Sequence, residues 1–371
     1  MVFNRSMLTQ QDKIYLLALT FLDGIGPITQ RKLLMHFDPE EIFSPGFKHP
    51  GFPKILSQQS KKNIALEKAH KELESMEKHG IKMLCIADAE YPKKLKQCYD
   101  APVLLFVKGN INFQQKYSLA VVGTRKCTQE AKLWIERFIS DLKDMSLQIV
   151  SGMATGVDIT AHLAAMDNNL STVAVMAHGL HIVYPPQHKK HAIRLLDHNN
   201  CMVSEYPIGQ DMHPGNFPSR NRIIAGLSDA VLVVESDVKG GAMITAQWAI
   251  EYDRELLAVP GRPGIKTSSG CNHLIKQNMA QLIENAADLL AYMNWKKDDA
   301  KQTKLFEESN HDDLTEDEKS IMQLFEHQQR LHLEHMLQKL GWNPQKLLSV
   351  LLQLELKGKI TALPGKFFSP V

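Results

Sequence analysis

The sequence predicts an α/β protein: a Rossmann-like, mostly parallel sheet, preceded by a helical domain and followed by a small winged helix. Three observations predict it. Between Ile81 and Trp295 short apolar runs alternate with amphipathic helical segments, the pattern of right-handed βαβ units. Before His79 the chain reads as helical, with a helix, Gly24-Ile-Gly26, helix passage that resembles a helix-hairpin-helix. After residue 313, three helical patterns end in two strand-like runs around a Pro364-Gly365 turn. The expected domains are 1–80, 81–295 and 314–371, with a linker over 296–313.

In the first domain, Lys13 to Phe21 is apolar on most sides, and Asp23-Gly24-Ile25-Gly26-Pro27 forms a tight turn. Ile28 to Phe37 is a second helix, with apolar spacing at Leu33, Leu34 and Phe37, and Ile55 to His79 a third with a charged, solvated face. Glycines in such a turn let backbone N–H groups approach a DNA phosphate, although a plain helical packing bundle fits equally well. In the second domain, Ile81–Ile86 and Pro102–Val107 are strand-like. Strands follow at Leu119–Val122, Gln148–Val150, Thr172–Met176, Met202–Val203, Ala230–Val234 and Leu256–Val259, separated by helices such as Gln129–Leu142, Ile159–Met166 and Met243–Tyr252. The segment from His213 to Arg222 reads as a loop, with a helix through Ile223–Leu227. In the third domain, Thr315-Glu-Asp-Glu318 fits a capping box, and Asn343-Pro344 fits an N-cap with proline at the first helical position.

Composition narrows the function. Hydrophobic residues make up 44% and charged residues 23% of the 371, ordinary for a globular protein. A net charge of +2 means that nucleic-acid binding has to come from a local patch. Five scattered cysteines without a C-x-x-C pair argue against a zinc ribbon or disulfide framework and fit a reducing compartment. With only a short apolar run near the start, Ile14–Leu22, and no membrane span expected, a cytoplasmic location is the expectation.

Ligands of an open parallel sheet gather where the βα loops converge beyond the carboxyl ends of the strands. Here those loops are glycine-rich and basic: Val122-Gly123-Thr124-Arg125, then Ser151-Gly152-Met-Ala-Thr155-Gly156, then Lys239-Gly240-Gly241. The loop expected between Asn216 and Arg222 adds Phe217, Ser219, Arg220, Asn221 and Arg222. Glycines permit close approach, helix N-terminal amides favour anions, and Arg125, Arg220, Arg222 and Lys239 supply charge. Such a row suits consecutive phosphates, and Phe217 offers an aromatic face to a base.

Enzymatic signatures are weak. The chain has no G-x-x-x-x-G-K-[ST], its first loop is not G-x-G-x-x-G, and Ser151 lacks a nucleophile elbow. The pairs His178/His181, His188/His191 and His332/His335 have helical metal-ligand spacing but no further ligand at convincing distance, so no metal is expected. Glu355-Leu-Lys357 matches a nuclease fragment by chance. The reading is a binding protein with no cofactor and no catalytic residues. Its main competitor is a nucleotide-processing, phosphoribohydrolase-like enzyme that would use Glu235. A third possibility makes the winged helix the DNA reader, through Lys357, Lys359 and Lys366.

Taken together, the loops resemble the DprA/Smf family of DNA-processing proteins. The resemblance rests on Val122-Gly-Thr-Arg125, Ser151-Gly-Met-Ala-Thr-Gly-Val-Asp158 with Ala161-His162, Gly179-Leu180, Tyr184-Pro185 and Ser204-Glu205-Tyr206-Pro207. It continues through Phe217-Pro-Ser-Arg-Asn-Arg-Ile-Ile-Ala-Gly-Leu227, Val233-Val-Glu235, Lys239-Gly-Gly-Ala-Met-Ile-Thr-Ala246, Ala258-Val-Pro-Gly261 and Gly270-Cys-Asn-His-Leu-Ile275. The resemblance implies a SAM-like N-terminal domain and a non-enzymatic protein that binds and protects single-stranded DNA. It also implies RecA loading during natural transformation, and action as a homodimer. Carried over by motif, Arg125, Arg220 and Lys239 would hold phosphates, Phe217 would contact a base, and Gly123, Ser151, Gly152 and Gly240 would admit the backbone. Replacing Arg220 by alanine is expected to weaken binding and leave the fold intact. Thr155, Gly240-Gly241-Ala242 and Ala177-His178 depart from the family pattern, the first by removing a possible phosphate contact and the second by removing a hydroxyl donor.

Overall fold

The helices at the start of the chain grow from apolar spacing and well-made caps. In α1 (Gln10–Thr20) the buried residues include Ile14, Leu16, Leu17 and Leu19. Its capping box joins the Thr9 hydroxyl to Asp12 N at 3.1 Å and the Asp12 carboxylate to Thr9 N at 2.9 Å. Gly24 turns the chain with φ +77°, and proline opens both α2 (Pro27–His36) and α3 (Pro39–Phe43). A 3₁₀ turn at Lys54–Ser57 delays α4 (Gln59–Lys78) relative to the expected start at Ile55. The buried ammonium of Lys62 donates to the carbonyls of Ile42 at 3.3 Å and Ser44 at 2.7 Å, satisfying groups left open where α3 ends.

This is a computed structural model, and it describes residues 9–110, 113, 115–197, 200–297, 315–325, 330–357, 359–363 and 365–370. The chain divides into two compact units, Met1–Ala300 and Lys301–Val371, so the helical segment and the sheet belong to one unit. Of the linker expected over 296–313, the part from 298 lies outside the described residues.

Among the described residues nine strands form the sheet: β1 (Ile81–Cys85), β2 (Leu104–Gly109), β3 (Tyr117–Val122), β4 (Leu147–Ser151), β5 (Ser171–Val175), β6 (Cys201–Ser204), β7 (Ala230–Val233), β8 (Glu255–Ala258) and β9 (Gln281–Leu282). Their order is β1-β2-β6-β5-β4-β3-β7-β8-β9. From β6 to β9 in that order all neighbours are parallel, while β1 and β2 attach antiparallel at one edge. The connecting helices are α5 (Lys93–Lys96), α6 (Gln129–Ser140), α7 (Val157–Asp167), α8 (Lys189–Leu195), α9 (Asn216–Gly226), α10 (Gly241–Glu251), α11 (Ser269–Lys276) and α12 (Ala286–Met293). Strand alternation divides the core between two faces. Leu119 and Val121 pack with Ile135 and Phe138 of α6 and Val157 of α7. Ala120 and Val122 join Ile223 and Ile224 of α9 and the cluster that holds Leu16, Leu17 and Leu33. From β3 the chain winds outward through β4, β5 and β6, then returns to β7 on β3's other side. The carboxyl ends of β3 and β7 therefore flank the switch point where such folds open a crevice.

The second unit contains α13 (Glu316–Leu324), β10 (Leu331–His332), α14 (Leu333–Leu340), α15 (Pro344–Leu356), β11 (Ile360–Leu363) and β12 (Phe367–Pro370), with strand order β10-β12-β11. The two predicted caps form: Thr315 with Glu318, and Asn343 Oδ1 accepting from Lys346 N at 2.7 Å. Ile321, Met336, Leu347, Leu351, Leu354 and Ile360 make a separate core. The arrangement is a winged helix. Glu355 accepts from Ala362 N at 3.2 Å, so that carboxylate serves the wing. No helix among the described residues is long and apolar enough to cross a membrane.

Candidate nucleic-acid interface

At the switch point lies a groove of about 500 Å³. The β3 loop lines it with Gly123, Thr124, Arg125 and Lys126, and α9 with Phe217, Arg220 and Asn221. The β7 loop and α10 add Ser236, Asp237, Gly240, Gly241, Ile244 and Thr245, and Ala154 and Asp158 lie against it from the β4 side. Lys239 is exposed next to Gly240. Arg125 is exposed as well, its guanidinium 5.9 Å from the centroid of the Phe217 ring. Phe217 in turn meets Tyr184 at 5.6 Å.

Carboxylates of the chain itself already occupy two of the surrounding βα junctions, Glu235 at the N-cap of α6 and Asp158 on the loop amides that precede α7. At α6, Thr128 donates its N–H (2.9 Å) and its hydroxyl (2.8 Å) to Glu235. At α7, Asp158 accepts from Gly152 N at 3.1 Å and Ala154 N at 3.4 Å. Burial raises the Asp158 pKa, with Arg220 and the two amides opposing. By contrast α9 and α10 begin after Gly215 and Gly240 with no side-chain cap and no acidic residue in the first turn. In α9 the first amides are already bonded, Asn216 N to His213 O at 2.9 Å and Phe217 N to Pro214 O at 3.3 Å, and Pro218 has none, so it is the positive end of α10 that borders the groove as a place for an anion.

Several expected contacts need correction. The segment expected as a loop up to Arg222 is already helical from Asn216, because Pro218 is tolerated in a helix's first turn. Residues two apart on a helix point to opposite sides, so Arg220 and Arg222 diverge. The Arg222 side chain is 8% exposed: it pairs with the Glu205 carboxylate, donates to Asp100 O at 2.9 Å and lies 3.6 Å from Asp100 Oδ2. Burial opposes its charge, but Glu205 and Asp100 outweigh burial and keep it protonated. Arg222 holds the fold and does not reach a ligand. Ser151 is buried, its hydroxyl donating to Val121 O at 2.6 Å.

Arg220 forms the groove floor. Only 5% exposed, it donates from Nη1 to the carbonyls of Gly152 (2.8 Å) and Val175, at the ends of β4 and β5. Burial lowers its pKa to about 10, with Asp158 opposing. It presents a fixed positive charge, and removing it would leave both carbonyls unpaired, contrary to the expectation of an intact fold. Gly152 makes room for this side chain: a Cβ there would lie 2.6 Å from Arg220 Cζ. Gly123 likewise accommodates Val157 and Glu235 O, each 2.9 Å from such a Cβ, and Gly240 accommodates Asp237 O at 2.9 Å. Gly241 alone of these four faces open space, with nothing within 4 Å of where a Cβ would stand.

The remaining expected residues serve as struts. Asn221 Nδ2 donates to Gly241 O at 3.3 Å, joining α9 to the first turn of α10. Ser219 is exposed and donates to Gly215 O at 3.1 Å; Thr124 N donates to Glu235 O at 2.6 Å. Sequence reasoning assigned no role to His162. It is fully buried, its Nδ1 donating at 2.7 Å to Thr172 Oγ1, which itself donates to Ile149 O. Burial, then Arg220 and His188, lower its pKa to about 3. Among the described residues no three His, Cys, Asp or Glu side chains converge as a metal site.

Residues 82–294 match the profile of a family described as DNA recombination-mediator protein A. The chain belongs to the DprA/Smf family. Residues 307–366 match the DprA winged helix domain, in agreement with the second unit. Protein Smf of Synechocystis is 33% identical over 298 residues, covering 76% of this chain and 73% of that protein. The X-ray structure of DprA from Streptococcus pneumoniae aligns with a TM-score of 0.60 at 32% identity, covering 77% of this chain and 94% of that one. A Helicobacter pylori DprA structure, described as revealing a single-stranded DNA binding mode, aligns with a TM-score of 0.52 at 29% identity, covering 58% and 95%. The DprA/Smf motifs thus fall on the loops around the groove and on the buried struts beneath it.

Proposed function

We propose that this DprA/Smf protein binds single-stranded DNA without sequence preference, in the groove between β3 and β7, and performs no catalysis. The observation that carries the proposal is the division of labour around the groove. Arg125, Lys239 and the uncapped end of α10 offer separate anion contacts beside Phe217. The seats at α6 and α7, where a nucleotide enzyme would hold a phosphate, are filled by Glu235 and Asp158. Glu235 is tied to Thr128, which also weighs against the phosphoribohydrolase-like reading that needs this carboxylate. Of the three lysines on which a winged-helix reading rests, Lys357 faces Glu318 at 2.6 Å, which weighs toward the groove as the primary site.

The proposed function extends to the further steps that the family resemblance implies. Bound single strands are protected and passed to the RecA recombinase, in keeping with the family's description as a recombination mediator, and the protein acts as a homodimer. Fluorescence anisotropy with single- and double-stranded oligonucleotides tests the binding. Arg125→Ala and Lys239→Ala should each weaken single-strand binding and reduce its salt slope by about 0.7. Wild-type affinity in both variants would refute the site. RecA nucleation on coated single strands, and sedimentation of the free protein, test the recombinase and dimer steps.

A further inference from the structure

Resting on the groove reading above, we infer that the single strand leaves the groove over the loop after β8, where Arg262, Ile265 and Lys266 form an additional phosphate-and-base subsite. β7 and β8 are parallel neighbours paired Val233 to Ala258, so their carboxyl ends emerge side by side. The β8 loop therefore begins roughly 5 Å, one strand spacing, beyond the β7 loop that lines the groove.

Lys266 hangs on the groove's own rim, and Arg262 lies beside it against the start of α6. Lys266 Nζ lies 3.3 Å from Oδ2 of Asp237, a groove-lining residue, and Arg262 Nη2 lies 3.3 Å from Oε1 of Glu130 in the first turn of α6. The cations are very exposed, the side chains of Lys266 and Arg262 being 85% and 79% accessible, with Glu130 at 79% and Asp237 at 34%. Ion pairs this open contribute little to stability, so a phosphate can replace either carboxylate at small cost. Asp237 keeps a partner when Lys266 turns away, because it also accepts from Lys239 N at 3.4 Å. The contrast is the Arg222 pair, buried and unable to exchange.

The loop is also preformed. Asn272 grips Gly261 from both sides, accepting from its N at 3.0 Å and donating to its O at 2.8 Å. Between the two cations Ile265 is 49% exposed, an apolar surface placed for a base whose phosphates contact Arg262 and Lys266. A rigid turn that presents two weakly held cations around an exposed apolar side chain is a suitable continuation for a strand leaving Phe217.

Length dependence tests this. Anisotropy titrations compare wild type, Arg262→Gln/Lys266→Gln and Lys239→Ala on two oligothymidylates, one at the lower length limit of detectable binding and one twice as long. The rim variant should bind the short oligomer as wild type does. On the long one its salt slope should fall by about 1.4, two phosphates at about 0.7 each. Equal binding of the rim variant and wild type at both lengths overturns the inference, as does equal weakening at both. If Lys239→Ala, and Arg125→Ala titrated beside it, both bind the two oligomers like wild type, the groove reading itself fails. If either weakens binding of both oligomers while the rim variant has no effect, only the extension fails.

Discussion

The sharpest perturbation of the groove is Gly152→Ala. The added methyl would lie 2.6 Å from Cζ and Nη2 of Arg220 and closer still to Nη1, so the guanidinium has to move. It has little room: Arg220 is 5% exposed and held by the Gly152 and Val175 carbonyls beside the Asp158 carboxylate. Hydrogen bonds from a charged group contribute about 1.5–3 kcal/mol each. Losing one or both puts the cost at roughly 2–5 kcal/mol, a large part of a typical domain's 5–15 kcal/mol. Urea denaturation followed by circular dichroism should show a clearly lowered midpoint, with weakened single-strand binding in the protein that remains folded. Gly241→Ala is the internal control. Its added methyl meets nothing within 4 Å at the start of α10, so its midpoint should match or slightly exceed wild type. Equal midpoints for Gly152→Ala and Gly241→Ala would refute the role assigned to Arg220.

Three further outcomes are expected. Arg222→Ala strands Glu205 and Asp100 in the interior and should cost about 3–5 kcal/mol in urea denaturation, while stoichiometric titration of the folded fraction gives unchanged DNA affinity. His162 is neutral in the fold with a pKa near 3 against 6.5 unfolded, so the stability it contributes is complete above pH 6.5. That contribution is lost as pH falls toward 3, by up to about 1.4 kcal/mol per unit. Wild type should therefore lose more stability than His162→Gln between pH 7.5 and 5; parallel slopes would contradict the assignment. Removing residues 301–371 should leave groove binding within about twofold of wild type by anisotropy, because exposed lysines in ion pairs contribute little; abolished binding would move the site to the winged helix.

The parallel sheet was legible because its central strands are buried on both faces and read as unbroken apolar runs, Leu119–Val122 and Ala230–Val233 among them. β9 was not, since Gln281 and Leu282 are both exposed and leave no apolar trace. Around the groove, glycine and arginine identified the right loops but not the depth of each residue. Ser151, Arg220 and Arg222 look like loop ligands in one dimension; their partners come from distant parts of the chain, Asp100 lying 122 positions from Arg222. The link between Thr128 and Glu235 spans 107 positions and carries no local signal. The phase of α9 was readable in principle, since a start at Asn216 separates Arg220 from Arg222; Phe217-Pro218 obscured that start.

The two plugged junctions also bear on competition among ligands. A free mononucleotide carries its phosphates as one compact group and finds the Thr128 amide before α6 and the Gly152 and Ala154 amides before α7 already engaged by Glu235 and Asp158. What it can still reach are isolated contacts, each weak alone. A polymer joins those contacts covalently, so that once one is made the next forms at high effective concentration and the total rises as avidity. On the proposed function, a groove whose neighbouring junctions are closed from within by Glu235 and Asp158 favours a long strand over dissolved nucleotides.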